Sequence, residues 1–168
     1  MPAQAAGCPF DMRSAPIVLV ACALALAGCS KTYIPNTDVE DSSFNRKVVS
    51  FCEEYRHAVE EKNVPKLLAM ASPLYHEDGG TPAGDDDMDY EGLKEYLTAL
   101  FTKASDIRYE MRYRRISISD NQHVYVDYTY SASYKMPGIA GDEWKHKVEE
   151  NRLDLVVDGD SFKIVAGM

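Results

Sequence analysis

Apolar residues recur at two periods along this chain, and the period changes shortly after residue 103. From Ser43 to Lys62 the apolar positions are Phe44, Val48, Phe51, Cys52, Tyr55, Ala58 and Val59, which share one stripe of a helix. Asp41, Ser42 and Ser43 are candidate N-caps. Asn63 can end this helix or cap the next, and Pro65 suits the first turn of a second helix, Pro65 to Ala71, which stops before Ser72-Pro73. A third helix is predicted from Tyr90 to Lys103, with Asp89 as cap and Leu93, Tyr96, Leu97, Leu100 and Phe101 as its apolar stripe.

Beyond residue 105 the period drops to two. Ile107, Tyr109, Met111 and Tyr113 alternate with Arg108, Glu110, Arg112 and Arg114, and then the phase flips to Ile116 and Ile118. A slip of one residue inside a strand pattern predicts a β-bulge. Val124, Val126, Tyr128 and Tyr130 continue on one face of a second strand, and Met136 to Gly141 reads as a longer loop. The third strand places Trp144, His146 and Val148 on one face and then slips to Leu153, Leu155 and Val157. Asp158-Gly159 signals a tight hairpin into a last strand carrying Phe162, Ile164 and Ala166. The expected fold class is therefore α+β, with three N-terminal helices packed on a curved antiparallel sheet of about four strands.

One stretch fits neither period. Residues 15 to 28 are an uncharged run of 14 residues behind Arg13, too short for a membrane span of about 20 residues and of the right form for a secretory signal. Met12 is a plausible start, since Met12-Arg13-Ser14 makes a normal basic leader. The run ends in Leu26, Ala27, Gly28 and Cys29, which resembles the lipobox of bacterial lipoprotein precursors. That resemblance implies a signal peptide over 1–28, a diacylglycerol on Cys29, and Cys29 as first residue of the mature chain. Residues 29–41 then read as a lipidated tether, and 42–168 as the folded domain. In enteric bacteria Ser30 after the cysteine resembles outer-membrane sorting, so the expected location is the cell envelope, facing the periplasm. Several acyl chains hold a protein stably on a bilayer.

This reading changes the composition. The chain has 168 residues, a net charge of −9 and four cysteines. Cys8 and Cys22 leave with the signal and Cys29 takes lipid, so Cys52 alone remains and no internal disulfide supports the fold. The negative charge is local. Residues 76 to 91 hold seven acids and no Lys or Arg, so the rest of the mature chain is nearly neutral. An acidic chain repels phosphate backbones, which argues against nucleic acid as a partner.

The order of helices and phase-shifted strands resembles the nuclear-transport-factor-2-like superfamily, shared by SnoaL-type cyclases, ketosteroid isomerase and scytalone dehydratase. The supporting residues are the Ser43 to Lys62 helix, the Asn63 to Leu68 connection, the phase-shifted strands and the Trp144 to Met168 hairpin. The resemblance covers residues 42 to 168 and implies a cone in which the sheet wraps the first helix. Its members often hold a small apolar ligand in the cone and often pair through the sheet's outer face, so a homodimer is implied as well. Tyr33 to Thr37 and Asp78 to Pro82 also resemble a group of bacterial lipoproteins that carries no activity to import.

In such a cone the alternation sends Tyr109, Tyr113, Tyr128, Tyr130, Trp144 and His146 inward from the strands, with Tyr55 and Tyr96 from the helices. A small, partly polar aromatic ligand would suit them. His146 is the candidate acid or base, with His76 at the loop mouth as a distant second. Asp127 and Asp154 alternate with apolar residues and should face outward, so the inward carboxylate that isomerase chemistry needs is missing. Asp85, Asp87, Asp89 and Glu91 are spaced like the start of an EF-hand loop, but Tyr90 and Tyr96 stand where Gly and Glu are required, so no metal is expected. No cofactor motif occurs. Arg108, Arg112, Arg114 and Arg115, with Lys145 and Lys147, are expected on the outer face, paired with Glu110, Glu143 and Glu149. The resulting expectation is a lipid-anchored envelope protein acting as a binding or interaction module. The alternative is a SnoaL-like lyase, cyclase or isomerase.

Overall fold

A computed structural model describes residues 31–79, 87–139 and 141–168. The expected leader, the lipobox residues Leu26, Ala27 and Gly28, and Cys29 lie outside the described residues, as does Asp85. Contacts divide the chain into Met1–Lys31 and Thr32–Met168, and every element below belongs to the second unit. No described helix is long and apolar enough to cross a membrane.

Three helices, α1 (Ser43–Glu60), α2 (Val64–Met70) and α3 (Tyr90–Lys103), lie against a four-stranded antiparallel sheet. Its strands are β3 (Ile107–Ile118), β4 (Val124–Gly138), β5 (Gly141–Asp158) and β6 (Ser161–Ala166), paired in chain order. Each helix starts on the capping residue its sequence offers. Ser42 accepts from the Asn45 amide, Asn63 from Lys66 and Asp89 from Gly92. The stripe of α1 is buried at Val48, Phe51, Cys52, Tyr55 and Ala58.

A two-stranded ribbon, β1 (His76–Glu77) with β2 (Met88–Asp89), forms at the two ends of the acid-rich stretch. Residues 32–40, read as tether, are not loose. Tyr33 bridges Glu40, Val39 is buried, and the Asp38 amide donates to the Tyr113 carbonyl. Beside it, α1 covers the same free edge of β3. The Tyr109 amide donates to Glu60 Oε1 at 3.0 Å, and Arg56 reaches the Tyr109 carbonyl at 3.4 Å. Three backbone groups of that edge are thus partnered.

The pairing of β3 with β4 shifts register between Tyr113 and Arg115, where the phase of the sequence flips. The Asp158 to Ser161 hairpin turns through Gly159 at φ +59°. Two expectations fail at the β4–β5 hairpin. Pairing runs on through Met136↔Glu143 and Pro137↔Asp142 to Gly138↔Gly141, so the long loop expected from Met136 to Gly141 is a tight tip. The slip expected between Val148 and Leu153 is also missing from this pairing, which runs unbroken back to Val124↔Leu155.

Unbroken pairing fixes the inner face as rows across the sheet. At one end Ile116, Val126 and Leu153 share a row, and Val124 pairs with Leu155, which pairs with Ile164. Further along come Tyr113–Tyr128–Asn151, Met111–Tyr130–Glu149, Tyr109–Ala132–Lys147 and Ile107–Tyr134–Lys145. Phe44 and Phe51 pack edge-on against Phe162 at 6.0 and 5.6 Å and close the first end.

Candidate functional site

The second end of the cone is hollow. A cavity of about 240 Å³ opens between the inner face of β3–β5 and helices α1 and α3. Its cause is local. Ala132 stands on the inner face of β4 between Tyr130 and Tyr134, so a methyl group sits where its neighbours carry rings. The helices supply an apolar wall with Val59, Leu97, Leu100, Phe101 and Ala104. The sheet supplies Ile107, Tyr109, Tyr130, Tyr134, Lys147 and Asn151, and Met168 borders it.

Of the eight residues expected in a pocket, Tyr55, Tyr96, Tyr109 and Tyr130 line this cavity. Tyr113 and Tyr128 point inward without lining it. The Tyr113 hydroxyl donates to Glu53 at 2.8 Å, and that of Tyr128 accepts from the Asn151 amide at 3.2 Å. Trp144 and His146, expected in the pocket, do not join them. Because β5 pairs with β4 without a slip, the inward parity of Leu153 and Leu155 continues through Asn151, Glu149 and Lys147. Trp144 and His146 therefore face outward, where Trp144 stacks under Arg108 and Lys135, and His146 Nδ1 lies 3.0 Å from Ser133 Oγ. His76 is exposed on the ribbon, 3.9 Å from Asp87. Neither histidine lines the cavity. Lys147, Asn151, Tyr134 and Ala132 escaped the sequence reading. Counting back by twos from Leu155 would have found the first two.

The floor of the cavity is a chain of hydroxyls. Side-chain hydrogen bonds link Tyr109 with Tyr55 and Tyr128. Burial pushes the Tyr109 phenol up to about 12, and its bonds with Tyr128 and Tyr55 pull against that rise. Burial also raises Tyr55 and Tyr128. At the rim, Lys147 Nζ lies 2.8 Å from Glu149 Oε2, and the Tyr130 hydroxyl donates to the same oxygen at 3.0 Å. The bonds to Glu149 and Tyr130 raise the Lys147 pKa, and their counterparts lower that of Glu149. Cys52 is buried in the core, and burial pushes its thiol up.

The basic outer face is mostly neutralised, though by other acids than expected. Asp127 holds Arg152 at 2.6 Å and Arg115 at 2.7 Å, and Asp38 holds Arg114 at 2.9 Å and Arg112 at 3.1 Å. Lys145 and Lys147 do pair with Glu143 and Glu149, but on the inner face. Asp127 and Asp154 face outward, and Asp154 lies 2.8 Å from His123. Among the described residues no group of three metal-ligating side chains converges.

No family model matches the chain, and no curated protein matches it. Solved structures do share its fold. A ketosteroid isomerase-like protein from Erwinia carotovora superposes with a TM-score of 0.58 at 12% identity, covering 76% of this chain and 95% of that one. The Kfla4162 protein from Kribbella flavida gives 0.61 at 12% identity over 73% and 86% of the two chains. A protein of the NTF2-like family from Streptomyces avermitilis gives 0.59 at 12% identity over 73% and 92%. At this identity the likeness establishes a nuclear-transport-factor-2-like fold and no more.

Proposed function

We propose that the hollow end of the cone binds a small ring compound with an electron-rich oxygen. The observation that carries this is the cavity itself: an apolar helix wall faces a floor of phenol groups, with Ala132 making the room. Its 240 Å³ is below the roughly 300–1,000 Å³ of drug-sized sites, which fits one or two rings. Tyr109 lines the cavity, and its phenol proton can be donated to a ligand there. A ligand carbonyl or phenol oxygen would take it. The test is a titration of naphthalene and 2-naphthol. 2-Naphthol should bind several-fold tighter, and Tyr109→Phe should erase that preference, a loss of about 1 kcal/mol. Equal binding of both compounds by the wild type would reject the reading.

The protein would do this at the cell envelope, held by lipid on Cys29. The support is the uncharged run ending in Leu26, Ala27, Gly28 and Cys29, and Ser30 favours the outer membrane. Cys29→Ser should move the protein from the membrane fraction to the soluble one. A protein that stays on the membrane would refute the anchor.

A catalytic reading has one specific support besides the isomerase-like fold relative. The Glu149 carboxylate takes a hydrogen bond from Tyr130, whose ring lines the cavity, so a base stands at its rim. An isomerase of this kind would exchange the α-protons of a cyclic ketone with solvent deuterium, and Glu149→Gln would stop it. The histidine that such chemistry was expected to use, His146, faces away.

A further inference from the structure

We propose that the ligand of this cavity is an organic anion, an aromatic or alicyclic carboxylate of one or two rings, and that Glu149 occupies the place of its carboxylate when the cavity is empty. The inference rests on the binding reading above and adds the charge of the ligand.

The charged side chains of the lining have one sign. Among the described residues the lining holds tyrosine hydroxyls, the Asn151 amide and the Lys147 ammonium, and no Asp, Glu or His. Lys147 is the one charged side chain in that wall. An apolar cavity with a cation and phenol donors favours a ligand with negative charge at one end.

The rim already shows how a carboxylate is held there. Two donors from neighbouring strands, the Lys147 ammonium at 2.8 Å and the Tyr130 hydroxyl at 3.0 Å, meet on the same oxygen, Glu149 Oε2. Tyr130 and Lys147 both line the cavity, whereas Glu149 does not. Glu149 is about half exposed, with 52% of its side chain open to solvent. Its bond to Lys147 is a surface ion pair, which contributes little and is readily exchanged. A ligand whose ring lay against Leu97, Leu100 and Ala132 could present its carboxylate to the same two donors. Glu149 would then swing into water. No bond is made or broken in this exchange. One carboxylate replaces another, and the rim keeps its two donors filled.

The experiment uses the full-length chain in detergent and two matched probes, 2-naphthoate and 2-naphthol, titrated by calorimetry. The wild type should bind 2-naphthoate more tightly, with an affinity that falls as salt rises. Lys147→Gln should weaken 2-naphthoate about tenfold and leave 2-naphthol within twofold. Lys147→Arg should recover most of the loss. Glu149→Gln should act in the opposite direction and strengthen 2-naphthoate several-fold, because it removes the resident competitor. Both side chains are half exposed, and unchanged melting temperatures would show that the variants fold. If 2-naphthol binds and 2-naphthoate does not, or if Glu149→Gln weakens 2-naphthoate, the anion inference fails while the cavity reading stands. If neither probe binds, both fail.

Discussion

The two ends of the cone are built by the same strands and do opposite things. At the closed end the inner face of β4 carries Val124 and Val126, opposite Leu153 and Leu155, all at 1% exposure or less. At the open end the same face of the same strand carries Tyr130, Ala132 and Tyr134, opposite Glu149, Lys147 and Lys145. Parity is unchanged from one end to the other. What changes is residue type: branched aliphatics fill space in few rotamers, while large rings around one alanine leave a gap. Stability should therefore concentrate at the closed end and binding at the open one.

The largest test of that division is truncation. Leu153→Ala should cost about 2–5 kcal/mol in urea unfolding, because its neighbours cannot collapse into the space. Leu100→Ala removes the same atoms from the cavity wall, where a hollow already exists, and should cost clearly less. Equal losses would erase the contrast.

Enlargement should reverse the ranking. Val126→Phe overpacks a site with no exposure and should cost about 1–3 kcal/mol. Ala132→Leu grows into the cavity, so it should leave stability nearly unchanged while blocking 2-naphthol. Retention of 2-naphthol binding in that variant would place the ligand elsewhere.

A smaller effect comes from the outer face above the packed row. Hydrogen bonds from Arg152 and Arg115 hold the Asp127 carboxyl below its ordinary value of 3.8. A carboxyl depressed in the folded state adds stability above its unfolded pKa. That stability is lost as pH falls through the folded value, from about pH 5 downward. Asp127→Asn should flatten this acid arm of the stability profile, with little change at pH 7 beyond the loss of the pair itself. Acid profiles that overlay for wild type and variant would count against the pair.

The same contrast explains what the sequence could and could not disclose. The α1 stripe, the bulge after Tyr113 and the Gly159 turn are local signals, readable from spacing and backbone preference alone. Alternation on β5 failed because it reports burial only where one face is buried. From Gly141 to Arg152 both faces are exposed, so Trp144 and Val148 imitate a core stripe while Lys147 borders the cavity. Only pairing with β4, carried along from Leu153 and Leu155, decides the parity there. Asp38 was illegible for a related reason: it holds β3 through contacts more than 70 residues distant in sequence, and Val39 is buried next to it.

The central claim is that ligand binding belongs to the open end. It is tested most directly by following backbone amide chemical shifts during a titration with 2-naphthol. Shifts are expected at Leu97, Leu100, Tyr109, Ala132 and Lys147, with Val124, Leu153 and Leu155 unmoved. Shifts gathered instead around Arg115, Asp127 and Arg152 on the outer face, or none at saturating probe, would contradict it.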